Sequence, residues 1–190
     1  MTAQASDAVL FEGDRFAVTA VDGTGLFDPV AHGLEPRGFK TSCYRGYICR
    51  YAVVGQRLVL RDLELGSPDE SARLDDVRPQ QDKDGWSWHY RGLDISVAFT
   101  GRLLIGNGHI PNRPYLNMGF WPAWMCGNVY ELTLRAGALL SAVDCSAAVA
   151  ATRADIITTA HRPAAGESTE AWIARTFSLT YDYSWPGRSG

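Results

Sequence analysis

The sequence predicts a single mainly-β domain, an antiparallel barrel or sandwich of about eight or nine strands with one helix near residues 146–160. Three observations lead there. Short runs of alternating apolar and polar residues, rich in Val, Tyr, Phe and Trp, recur between glycine-marked turns. Only one stretch combines helical spacing with frequent alanine, so the repeated helices of a βαβ architecture are missing. At 190 residues the chain suits one domain. A chain of that length buries about 70% of its unfolded surface, so it can build a core without a metal or disulfide.

The elements follow in order. Residues 14–21 alternate and end at the turn signal Asp22-Gly23. Residues 24–40 carry Gly25, Pro29, Gly33, Pro36 and Gly38 and read as a loop. The clearest strand is 41–54, with Cys43, Arg45, Tyr47, Cys49, Tyr51 and Val53 on one face. Gly55-Gln56 turns it into residues 57–65, so 43–65 is predicted as a hairpin, placed beside a strand at 129–135. Residues 66–85 are a polar, acidic loop; Asp82-Lys83-Asp84-Gly85 is only a fragment of a calcium-loop pattern. Trp86, Trp88 and Tyr90 alternate, then Ile95, Val97 and Phe99, and Leu103-Leu104-Ile105 runs into the turn Gly106-Asn107-Gly108.

Residues 109–127 are irregular and aromatic, and 129–135 and 138–143 flank the turn Ala136-Gly137. Ser146 is placed to cap the helix. Phe177, Leu179, Tyr181 and Tyr183 alternate as in a further strand over 175–183, and 185–190 is expected to be a disordered tail of the single domain 1–190.

Composition removes several classes of function. Net charge is −3, and the only lysines are Lys40 and Lys83. The pI is about 5.8. Nucleic-acid binders usually show a basic patch or pI, and anionic membranes attract Lys/Arg runs, so neither partner is expected. No secretory leader opens the sequence and no apolar run is long enough to span a bilayer, which predicts a cytoplasmic protein.

Motifs for chemistry are sparse. The phosphate-binding Gly-rich loops, the dinucleotide fingerprint and the Gly-x-Ser-x-Gly elbow do not occur. His32, His89, His109 and His161 have no neighbouring His or Cys at ligand spacing, so no metal or other cofactor is expected. Along a 43–54 strand, Cys43 and Cys49 would lie roughly 20 Å apart at about 3.3 Å per residue. A disulfide needs Cα atoms within about 7 Å. Cys43, Cys49, Cys126 and Cys145 are therefore expected to be free thiols.

Two charged residues fall on strand faces. Glu131 either points to water or is a carboxylate inside a barrel, able to act as a base. Arg45 shares a face with Tyr47, Cys49 and Tyr51, so it is expected to be partly buried and paired with Glu131 or Asp62. The segment 112–126 holds the remaining candidates Tyr115, Asn117, Trp121 and Trp124, with His109 or Arg45 nearby. Pro114 and Pro122 stiffen it and rule out a central strand. Its rings either fold back on the core as a lid or are presented to a partner.

Tyr44-Arg45-Gly46-Tyr47, Leu58-Val59-Leu60-Arg61-Asp62-Leu63, Phe99–Ile105, Met118-Gly119-Phe120 and Tyr130-Glu131-Leu132 together span about residues 40–140. As a set they resemble a group of uncharacterised small bacterial cytoplasmic proteins, in which an aromatic-Arg-Gly-Tyr strand leads into a hairpin and a Met-Gly-aromatic segment follows. That group often has His before Met-Gly, where this chain has Asn117. The resemblance implies a bacterial, cytoplasmic β protein and implies no activity.

The function expected is a non-enzymatic interaction module recognising a protein partner through the aromatic loop. The alternative is a β-barrel holding a small apolar or aromatic ligand, as a small-barrel isomerase or cyclase would. A filled or a hollow interior discriminates them.

Overall fold

In the computed structural model, which describes residues 2–67, 69, 72–113, 115, 118–157, 163 and 165–188, nine strands form one sheet. They are β1 (Ala8–Phe11), β2 (Asp14–Thr24), β3 (Tyr47–Val54), β4 (Arg57–Gly66), β5 (Gln80–Gln81), β6 (Ser87–Ser96), β7 (Thr100–His109), β8 (Cys126–Arg135) and β9 (Ala138–Asp144). Bonding runs β1-β2-β7-β8-β9-β4-β3 and returns to β1, closing a ring of seven strands. The chain is thus mainly β and barrel-like, as expected. One seam departs from an antiparallel plan: β1 pairs parallel to β3. The β9–β4 seam is short, with Arg57 opposite Ala138, Leu58 N–H donating to Gly137 O and Leu139 N–H donating to Gln56 O, both 2.8 Å. The β6 strand leaves the ring on β4 and carries β5.

The hairpin turns where the sequence places it. Gly55 and Gln56 have φ of 54° and 60°, the pair of positive values that a type I′ turn needs. It does not adjoin β8, however, because β9 lies between β8 and β4. The strand also starts only at Tyr47; Cys43 and Arg45 lie in the turns before it.

Alternation sends one set of side chains inward. From β3 these are Cys49 and Tyr51, flanked by Tyr47 and Val53. From β4 they are Leu58 and Leu60, then Leu63 and Leu65. A bulge at the β4 position between Leu60 and Asp62 changes the parity, which explains the Leu-x-Leu-x-x-Leu-x-Leu pattern. Phe11, Phe16 and Tyr130 meet edge to face at 5.5–6.3 Å, and Val18, Leu103, Ile105, Leu132 and Leu134 complete the cluster. The ring is filled by side chains.

A second cluster lies on the outer face of β7 and β8. Ala20, Leu104 and Val129 are covered there by a 3-10 turn, Ala123–Met125, and by Val149 of helix α1 (Ser146–Ile157). Tyr181 and Trp185 pack on the same cluster.

The expected strand over 175–183 is absent. Helix α2 (Thr169–Thr176) and the short α3 (Tyr181–Ser184) stand there instead. Ser168 caps α2 by accepting from Ala171 N–H at 3.1 Å. Between the helices the chain touches the sheet once, where Leu179 O accepts from Val21 N–H at 2.7 Å. The expected tail is ordered through Arg188, whose guanidinium donates to Glu131 Oε1 at 2.7 Å. Residues 189–190 and His161 lie outside the described residues. No helix among the described residues is long and apolar enough to cross a membrane.

Candidate functional site

The N-terminal segment before β1 is a strap over the outer surface. Gln4 N–H donates to Gly119 O and Ala5 N–H to Ser42 O, both at 2.7 Å, and Asp7 O accepts from Val18 N–H at 2.8 Å. The Gln4 side chain donates to Thr41 O and accepts from Tyr44 N–H. Gly119 permits the approach of the aromatic segment: its φ is 74°, and a Cβ there would lie 2.2 Å from Thr176 O.

The strap is pinned by Asp7, which is buried. Its carboxylate accepts two hydrogen bonds from the Arg45 guanidinium and one from Cys49 N–H at 2.6 Å. Arg45 also donates from Nε to Tyr47 O at 2.8 Å and lies 4.6 Å from the Tyr47 ring centroid. Burial disfavours the Arg45 charge, but the charge of Asp7 and its hydrogen bonds more than offset this, so Arg45 holds its proton more tightly than a free arginine. Partial burial of Arg45 is as expected; its partner is not. Asp62 lies across the strand at the β4 bulge, with Oδ1 accepting from Gly92 N–H, and Glu131 is bonded elsewhere.

Two clefts open on either side of the strap. The larger, of about 460 Å³, has a floor of Ala5, Ala8, Ala17, Gly106 and Met125. Around it stand Ser6, Asp7, Arg15, His109, Arg113 and Trp121. Gly106 keeps the floor flat, since a Cβ there would lie 2.6 Å from Cys126 Sγ. The Arg113 guanidinium stacks on Trp121 at 3.7 Å from the ring centroid. The smaller cleft, of about 370 Å³, lies among Arg45, Tyr44, Cys43, Phe120, Phe177 and Leu179.

The structure sorts the candidates. His109 and Trp121 share the larger cleft, and Arg45 lines the smaller one. Tyr115 projects from the same segment and is 88% exposed. Asn117 lies outside the described residues. Trp124 does not face a cleft. It is buried in the second cluster, and Arg153 donates to its carbonyl at 2.8 Å. Glu131 is neither solvated nor inside the ring. It pairs with Leu104 of β7 on the outer face, and the C-terminal segment covers it. Arg188 neutralises it and itself lies 5.2 Å from the Tyr181 ring and 5.0 Å from the Trp185 ring. A carboxylate so paired is not positioned as a base.

Sequence reasoning missed Asp7, Ser6, Arg15 and Arg113. The first two precede a four-residue strand too short to show a period. Arg113 was within reach, since it belongs to the aromatic segment already singled out.

The larger cleft has one thiol in its lining. Cys126, at its back, has its thiol pushed up to about 11 by burial, against the opposing pull of Arg113 and Arg153. It is therefore protonated at neutral pH and a poor nucleophile. Among the described residues no group of three His, Cys, Asp or Glu is arranged to hold a metal. All four cysteines are free and buried. Comparison with protein-family models, curated proteins and solved structures found no match.

Proposed function

We propose that this chain is a non-catalytic binding module of the bacterial cytoplasm that recognises a protein partner through the surface around Tyr115, Trp121, Arg113 and His109. One observation carries the proposal: Tyr115, two residues beyond Arg113, is 88% exposed, and Arg113 caps the ring of Trp121 in the wall of an open cleft. Tyr, Trp and Arg are the residue types that anchor interfaces: the rings bury large area with few rotors, and the planar guanidinium stacks and donates several hydrogen bonds. Four free thiols suit a reducing compartment. The small-ligand alternative calls for space within the barrel, and the cluster of buried apolar side chains there favours the partner-binding reading.

A photo-crosslinking residue, p-benzoylphenylalanine, placed at Tyr115 in the producing cells tests the proposal. Trp86, 67% exposed just before β6, is the control. A discrete product from position 115 is expected, absent from position 86 and lost when Trp121 is replaced by Ala. Identical products from both positions, or none from 115 in a folded protein, would contradict the proposal.

A further inference from the structure

Charge around the larger cleft is unbalanced. Its one carboxylate, Asp7, is already compensated by Arg45 and bonded to Cys49 N–H. The cationic groups are not compensated. Among the described residues neither the Arg15 nor the Arg113 guanidinium has a hydrogen bond or ion pair, and that of Arg113 stacks on the Trp121 ring. His109 adds an exposed imidazole at the end of β7. This gathering of positive charge stands out on a chain of net charge −3. The floor beneath is made of alanines, a glycine and a methionine, which offer no polar side-chain atom. Ser6 Oγ, at the same cleft, is buried without a hydrogen-bond partner among the described residues. A ligand matching these features has an apolar body against the floor and a negative, hydrogen-bond-accepting group at the rim.

We propose that the larger cleft receives a carboxylate carried on an apolar body, namely the apolar C-terminal residue of a polypeptide. The choice of a polypeptide rests on the partner-binding function proposed above; the carboxylate chemistry rests on the cleft alone. Arg15 and Arg113 bond the carboxylate oxygens, as guanidinium forks do. Ser6 donates a third bond, and the side chain lies against Met125 and Trp121.

The test is an NMR titration of the ¹⁵N-labelled full chain with three probes. N-acetyl-phenylalanine mimics a peptide C-terminus. N-acetyl-phenylalaninamide keeps the ring and loses the charge. 3-Phenylpropionate keeps the charge and loses the peptide group. The acid is expected to shift the Gly106 and Gly108 amides and the Trp121 indole, and to bind about tenfold or more tightly than the amide, since a charge-assisted pair is markedly stronger than a neutral one. Arg15→Gln combined with Arg113→Gln should abolish that preference while leaving the spectrum of the interior strands unchanged. Equal binding of acid and amide, or shifts confined to other surfaces, would overturn the carboxylate site. Binding of 3-phenylpropionate as tight as that of N-acetyl-phenylalanine would overturn the polypeptide assignment. Selective acid binding without a Tyr115 crosslink would likewise retain the carboxylate site and remove the partner.

Discussion

The inside of the ring and the cover over its outer face are built on different physics. Inside, Val9, Phe11, Phe16, Leu58, Leu60, Leu63, Leu103, Ile105 and Leu132 pack as apolar bulk. Around that cluster, from its rim to the outer face, stand the buried polar groups Gln4, Asp7, Thr19, Glu64, Ser87, Glu131, Thr176 and Ser184. Each needs a partner that distant chain supplies, because a buried polar group without one is costly. Arg45 reaches Asp7, Arg188 reaches Glu131, Lys40 reaches Glu64, and Ser184 Oγ accepts from Ala123 N–H. Hydrophobic burial sets the ring; directional pairs set where the strap, the aromatic segment and the C-terminal helices lie on it. The proposed binding surface lies where that cover leaves Arg15 and Arg113 without an ion pair among the described residues.

The comparison can be broken most sharply at Asp7. Asp7→Ala leaves Arg45, whose side chain is 25% exposed, without its counter-charge and removes the acceptor of Cys49 N–H. A loss of roughly 3 kcal/mol is expected in urea denaturation, the lower end for a broken buried pair because Arg45 keeps some water. A loss below about 0.5 kcal/mol, the range of an ordinary surface change, would mean that the strap is not pinned there.

The pair at Glu131 should behave asymmetrically. The long Arg188 side chain is 21% exposed and can turn to solvent, whereas Glu131, 9% exposed, is held in β8 and cannot. Arg188→Ala should therefore cost about 2 kcal/mol and Glu131→Gln about half that, since an unsatisfied buried acceptor carries its full desolvation penalty. The reverse order would show that the C-terminal segment is not held by this bond.

A smaller effect is expected at high pH. The Cys126 thiol titrates at about 11 when folded, against about 8.5 when unfolded. The unfolded state then ionises first, so stability is fully present below the unfolded value and is lost as pH rises toward 11. Between pH 8 and 10.5 the wild type should lose more stability than Cys126→Ser. Equal losses would place Cys126 in contact with water.

The same contrast explains what the sequence disclosed. Period-two alternation is a signature of a surface buried on one side, so the 47–66 hairpin, its turn at Gly55-Gln56 and the strands around Leu103 and Leu132 were legible. Helix α1 was legible from its alanines, but Ser146 does not cap it as expected: its hydroxyl accepts from Val129 N–H of β8 at 3.0 Å. The cover has no period. Phe177, Leu179, Tyr181 and Tyr183 alternate by coincidence: Phe177 closes α2, Leu179 O bonds β2 between the helices, and Tyr181 and Tyr183 fall in α3. Asp7 gave no local sign of Arg45, 38 residues away, because a pair made by tertiary approach leaves no spacing rule. Aromatic content singled out the segment 112–126, yet could not separate Trp121, which lines the cleft, from Trp124, which is core.

That separation gives the most direct test. Urea denaturation of Trp124→Ala and Trp121→Ala compares two tryptophans three residues apart on opposite sides of the division. Trp124, only 3% exposed, should cost roughly 3–5 kcal/mol, as large core truncations do. Trp121, half-buried on the cleft wall, should cost no more than about 1.5 kcal/mol, within the range of an average substitution. Losses of 3–5 kcal/mol from both would make the whole segment a lid on the core and remove it as the recognition surface.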